Sequence, residues 1–320
     1  MVIGAGIIGL TTTYELMRRG RHVLVVDAAD PMQGCSAGNA GYLAESNIFP
    51  PASWETLKQL PRMLLDRHGP LVIDPLYLPE LVPWGFRLIR SLRPDNEAGI
   101  RRRLASLTTR AIGSYAPMLQ DIGAQNMIKT KGALVACLRS GTLDARARSL
   151  PVFAEHGIEA QCLTGYEASE LEPALTSRLA GAILFPNSAH CINPKRLAQV
   201  LATRLFSNGV AYLKDRVTAL SRASRNTADP DDVWRVSLQG GVVTGRQVVI
   251  CAGRGADTLL SPLGFTVPLA SERGYHLMLR VPNIVLGRPV LCAEPFLWRL
   301  LWSMVFGLPE LPNLRRANDQ

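Results

Sequence analysis

No CxxC pair occurs among the six cysteines, Cys35, Cys137, Cys162, Cys191, Cys251 and Cys292, and a disulfide framework belongs to much shorter secreted chains. Reduced thiols in a cytoplasm are therefore expected. The five histidines, His22, His68, His156, His190 and His276, form no HxxxH or HxH pair and have no carboxylate at ligand spacing, which removes metal chemistry from the expected functions. Zinc-finger spacings and RNP-like aromatic motifs are also missing, so nucleic acid is not an expected partner. The longest apolar run near the end, Pro295 to Leu308, is interrupted by Arg299 and falls short of the ~18 residues of a spanning helix. A glycine motif begins at residue 4 with no basic and apolar leader before it, so a cleaved export signal is not expected either. No internal repeat is visible.

What is present is the composition of a folded protein. The chain has 320 residues, 47% of them apolar and 19% charged, enough for one large or two ordinary domains with proper cores. The net charge of +9 comes mainly from scattered arginines, with a cluster at Arg101, Arg102 and Arg103. A solvated basic face is the plain reading. If the charge attracts anything, an anionic membrane surface fits better than nucleic acid.

The first thirty residues read as strand, tight turn, helix and strand. Val2 and Ile3 run into Gly4-Ala5-Gly6-Ile7-Ile8-Gly9, although three residues before Gly4 make a short strand. A helix through Leu10, Tyr14, Leu16 and Met17 stops at Gly20, and His22 to Val26 form a β-branched run ending in Asp27. Further on, apolar spacing predicts a helix from Ile100 to Ile122 with a kink at Pro117, a strand from Lys131 to Leu138, one helix from Thr142 to His156, and a strand from Ala182 to Phe185. Asn193 before Pro194 is a helix start, with Leu197, Leu201 and Leu205 inward and Gly209 as the stop. Short strands follow at 211–213, 217–220, 233–238 and 247–251. Beyond Glu294 the pattern changes, and Pro295 to Gln320 reads as an aberrant tail.

The chemistry concentrates at the glycine turn. Gly4 permits a tight turn, Gly6 lets backbone approach a pyrophosphate, and Gly9 allows close helix–strand packing, with the amides near Ile7 and Ile8 facing the phosphates. GxGxxG alone is a weak signal, but here it lies between a strand and a helix, and Asp27 ends the next strand. That carboxylate can accept ribose hydroxyls and would repel a 2′-phosphate. A competing motif, Gly34-Cys35-Ser36-Ala37-Gly38, matches a hydrolase nucleophile elbow, which would make Ser36 an acylating nucleophile. The elbow needs a strand feeding the serine, and Asp30 and Pro31 argue against one. His190 reads as a loop residue that either faces solvent or lines a pocket.

These residues resemble the flavin-dependent D-amino-acid dehydrogenases and their D-amino-acid oxidase, glycine oxidase and sarcosine oxidase relatives. The resemblance covers roughly residues 1 to 294. VIGAGIIGLTTTYELMRRGRHVLVVDA looks like that family's FAD fingerprint, with Thr13 where a small alanine is usual. CSAGNAGYL resembles its second FAD loop, GVAYLKDRVTALSR the strand pair that meets adenine, VVICAGRGADTLL the segment returning to the cofactor, and SERGYHLML the strand leading back to the substrate sheet.

The resemblance implies an α/β (α+β) fold: a Rossmann-like FAD domain from residues 1–55 and 190–262, with an interleaved antiparallel-sheet substrate domain from 56–189 and 263–294. Cofactor contacts would come from Gly4, Gly6, Ile7, Ile8, Gly9, Asp27, Ala28, Ser36, Asn39, Gly41, Val217, Ala252 and Gly253, and substrate contacts from Tyr275 and His190. The implied reaction oxidises the amine carbon of a D-amino acid: hydride leaves Cα for flavin N5, and the imine hydrolyses to keto acid and ammonia. Electrons would pass to a respiratory acceptor or oxygen, in the cytoplasm or peripherally at the inner membrane. Glycine, sarcosine and hydroxyproline are alternative substrates. Family members continue beyond this length through strands carrying a carboxylate-binding arginine, so a truncated, inactive remnant is the other reading.

Overall fold

A computed structural model describes residues 1–50, 78–175, 178–222, 233–267, 269 and 285–294. It divides into two compact units, one of residues 1–41, 117–127 and 193–275, the other of 42–116, 128–192 and 276–320. The expected tail from Pro295 and the candidate Tyr275 lie outside the described residues.

The first unit is built on a four-stranded, wholly parallel sheet in the order Val249–Ile250, Val2–Ile3 (β1), Leu24–Asp27 (β2), Ala211–Lys214. Val2, Val25 and Val26 are fully buried, as strands covered on both faces require. Between β1 and β2 runs the helix Ile7–Arg18 (α1), which buries Gly9, Leu10, Thr13 and Tyr14 along one stripe. Thr13, the departure from the usual alanine, is tolerated inside because its hydroxyl donates to the Gly9 carbonyl one turn back at 2.8 Å. The helix Pro194–Ser207 starts where Asn193 Oδ1 accepts the Arg196 N–H at 2.9 Å, and Leu197, Leu201 and Leu205 are buried as their spacing requires. An antiparallel sheet of Val217–Arg222, Trp234–Leu238 and Val242–Gly245 packs with Ile3 and Leu259 into an apolar cluster of the unit.

The second unit carries a four-stranded sheet in the order Val290–Cys292, Ala133–Cys137, Gly181–Phe185, Gln161–Thr164. It is antiparallel except for the parallel pair of 290–292 with 133–137. A smaller sheet pairs Tyr42–Leu43, Ala189–Cys191 and Ile128–Lys129. Helices Leu78–Ser91 and Pro94–Asp121 follow each other in the chain, the latter entering the first unit at Pro117.

One element differs from the expected single helix over 142–156. Two short helices, Ser140–Ala147 and Leu150–Glu155, stand there instead. Pro151 explains the break: it has no N–H for the carbonyl one turn back, and it is tolerated only in the first turn of a new helix.

Candidate functional site

All the cofactor candidates fall in the first unit, and most gather around the turn from β1 into α1. Each glycine of the turn has its own reason. Gly4 holds φ +111°, and a Cβ there would stand 2.4 Å from the Cys251 carbonyl oxygen. At Gly9 a Cβ would reach 1.8 Å from Gly4 O, so α1 can leave the turn this tightly only without a side chain. The space beside Gly6 is bounded by Ser36 Oγ at 3.1 Å. Leu10 is the first amide bonded within the helix, to Gly6 O at 3.0 Å, so the Ile7, Ile8 and Gly9 N–H groups face out of its positive end. Ser36 Oγ accepts the Ile7 N–H at 3.2 Å, and the Ile8 side chain is 64% exposed beside it.

Asp27 closes the other side of the turn. Its Oδ2 accepts the Ala5 N–H at 2.6 Å and its Oδ1 the Ala29 N–H at 2.9 Å, tying the end of β2 to the glycine turn while each oxygen keeps a second lone pair. Ala28 is exposed between these anchors. Val217 and Ala252 pack in the same apolar cluster as Ile3, and Gly253 follows at φ +54°. Asn39 Oδ1 accepts the Gly41 N–H at 2.6 Å, with Gly41 at φ +76°, which shapes the second loop.

Sequence reasoning missed three supports of this turn. Met32 holds a left-handed φ of 65°, rare for its type, and donates its N–H to Ala5 O at 3.1 Å, pinning the loop after β2 back over the glycines. Nothing in a methionine codon position signals that. The Tyr212 hydroxyl donates to Ala29 O, and Lys214 pairs with Asp30 at 2.8 Å, both from the strand beside β2. Their signal was the alternation of the strand 211–214, which places aromatic and basic residues against the Asp27 turn.

Ser36 does not sit on a hydrolase elbow. Residues 35–38 form a single 3-10 turn reached from irregular chain, so no strand presents the hydroxyl and no α-helix follows it.

His190 corrects the loop reading. It lies on the middle strand of the small sheet in the second unit, opposite Tyr42 on one side and Lys129 on the other, and is 5% exposed. Burial lowers its pKa, and the positive charges of Lys131 and Lys129 lower it further, both favouring the neutral imidazole. A buried acid that the sequence did not single out, Glu45, belongs to the same unit. It is 7% exposed, its Oε1 has no hydrogen-bond partner among the described residues, and burial followed by the charge of Glu159 raises its pKa.

A strand–glycine turn–helix with outward amides and an acid on the next strand defines a dinucleotide-binding protein. The family model described as FAD dependent oxidoreductase matches residues 1–313, and the chain belongs to that family of FAD-dependent enzymes. The match runs past Glu294 into the stretch expected to be foreign. Among curated relatives, the chain is 27% identical to a D-amino-acid oxidase of Bradyrhizobium diazoefficiens over 99% of this chain and 76% of the relative. It is 25% identical to a D-amino acid dehydrogenase of Phenylobacterium zucineum over 87% of this chain and 65% of the relative. Glycine oxidase from Geobacillus kaustophilus shares the fold, with a TM-score of 0.57 and 21% identity over 83% of this chain and 58% of that one. The chain thus spans between 58% and 76% of the length of these three proteins.

The turn fits the cofactor. Side-chain-free backbone, outward amides at a helix start and a hydroxyl beside them are a donor set for a pyrophosphate, and Asp27 is an acceptor for hydroxyls rather than for a phosphate.

Proposed function

We propose that this protein oxidises the amine carbon of a D-amino acid to an imine, with FAD held by its first unit. The carrying observation is the glycine turn closed by both Asp27 and Ser36, together with relatives named for D-amino-acid oxidation. When bound, FAD supplies the acceptor for the hydride that leaves the substrate Cα. The chain's own task is binding, orientation and exclusion of water.

The Ile8 and Gly9 amides face the pyrophosphate in this reading, and the Ser36 hydroxyl donates to it. Asp27 receives the adenosine ribose on its remaining lone pairs, its charge selecting against a 2′-phosphate. Val217 meets the adenine through its backbone, while Ala28, Asn39, Gly41, Ala252 and Gly253 line the rest of the cofactor's course. His190 and Tyr275 are the substrate candidates of this reading, and a lowered pKa leaves the His190 imidazole able to accept or donate a hydrogen bond. A substrate amine in its neutral form loses hydride directly, so no general base is needed. The imine takes up water, giving keto acid and ammonia, and the electrons go on to a respiratory acceptor or oxygen. The expected division into an FAD domain and an interleaved substrate domain is part of this reading.

The test is reduction of an artificial dye by FAD-loaded protein offered D- and L-amino acids, glycine, sarcosine and hydroxyproline. Turnover confined to D-amino acids is expected. Turnover of glycine, sarcosine or hydroxyproline alone would move the assignment to those amines, and a flavin-loaded protein inert towards all of them would mark a non-catalytic remnant.

A further inference from the structure

The helix Leu78–Ser91 in the second unit leaves large apolar side chains in water. Val82 is 54% exposed, Phe86 71% and Ile89 46%, at the i, i+4, i+7 spacing of one stripe. Apart from this stripe, Leu107 on the next helix is 70% exposed. A contiguous stripe of this kind, unlike single exposed apolar residues, marks a surface that something covers.

The charge around it says what. Arg87 and Arg90 lie along one side of the stripe and Arg93 follows at the end of the helix, all exposed. Arg102, Arg103 and Arg110 are exposed around Leu107. Between residues 78 and 110 the sequence holds seven arginines against three acids, Glu80, Asp95 and Glu97, and Glu97 is already paired with Arg101 at 4.0 Å. Aromatic and branched apolar side chains edged by arginines match the two faces of a lipid surface, acyl chains beneath and phosphate headgroups beside them.

We propose that the helix Leu78–Ser91 is an interfacial docking element that lays Val82, Phe86 and Ile89 into an anionic bilayer surface while Arg87, Arg90 and Arg93 engage the headgroup phosphates. The contact is peripheral: among the described residues no helix is long and apolar enough to cross a membrane. It does not rest on the proposed chemistry, since lipid binding is read without substrate or turnover.

The test is sedimentation of the full chain with vesicles of phosphatidylcholine alone and of equal parts phosphatidylcholine and phosphatidylglycerol. Binding to the mixed vesicles, suppressed by salt, and little to the neutral ones is expected. Phe86→Ser should weaken partition by about tenfold or more, and Arg87→Gln and Arg90→Gln each by about fivefold. Phe86 and both arginines are exposed, so circular dichroism and melting should be unchanged in these variants. Equal binding to neutral vesicles, or none to either, overturns the proposal. So does a dimer in solution that Phe86→Ser dissociates, because the stripe would then be an interface between copies of this chain.

Discussion

Glu45 shows how a single buried acid ties folding to pH. Burial and the nearby Glu159 hold its pKa above the ordinary value, so the folded state favours the neutral form. Its contribution is fully present below the unfolded pKa near ~4.3 and is lost as pH rises through the raised folded value. Glu45→Gln, which cannot ionise, should therefore melt at a higher temperature than the parent at pH 8, with the difference closing at pH 4. Thermal melts of both proteins across that range read the effect. A glutamine variant that melts lower at pH 8 would mean that the carboxylate has a partner it needs. His190 has the opposite sign: its pKa is depressed, so the neutral ring supports the fold above ~6.5 and the support fades as pH falls.

At the scale of elements, the helix Pro194–Ser207 is held at its start by one side chain. Asn193→Ala removes the acceptor for the Arg196 N–H and should cost about 1 kcal/mol, whereas Asn193→Asp should keep it. Melting both variants checks this: a drop of about 2 °C is expected for the alanine and little for the aspartate. An equal drop in both would assign the loss to something other than the cap. This helix was legible in the sequence because cap, proline and leucine spacing all act within one segment. The βαβ turn was legible for the same reason. His190 was not, because a three-residue strand has too few residues to show alternation and exists only by pairing with Tyr42–Leu43 and Ile128–Lys129 from far along the chain. The break at Pro151 was overridden by an apolar spacing that continues through it. Met32 and Glu45 depend on tertiary neighbours that no local pattern encodes.

At the scale of the whole molecule, the order of segments carries the cofactor. Residues from the two ends of a long sequence separation meet at one turn: Cys251 and Ala252 lie against Gly4, and the parallel sheet places 249–250 beside β1. Family membership rests on a match across residues 1–313, and the residues that serve the cofactor are those we propose from the geometry of the turn. Asp27 is the point where both meet, because its carboxylate binds the turn through Ala5 and Ala29 and also faces the ribose in the proposed complex.

The most direct test is titration of FAD and of NAD into purified apoprotein, wild type and Asp27→Ala, with melting recorded without ligand. FAD should bind the wild type and NAD should not. Asp27→Ala should weaken FAD binding by about one to two orders of magnitude, the equivalent of losing a charged acceptor worth roughly 1.5–3 kcal/mol, and should also lower the melting point through the two lost backbone bonds. Binding of NAD without FAD, or equal FAD affinities with only the melting point lowered in Asp27→Ala, would contradict the assignment of this turn to the flavin.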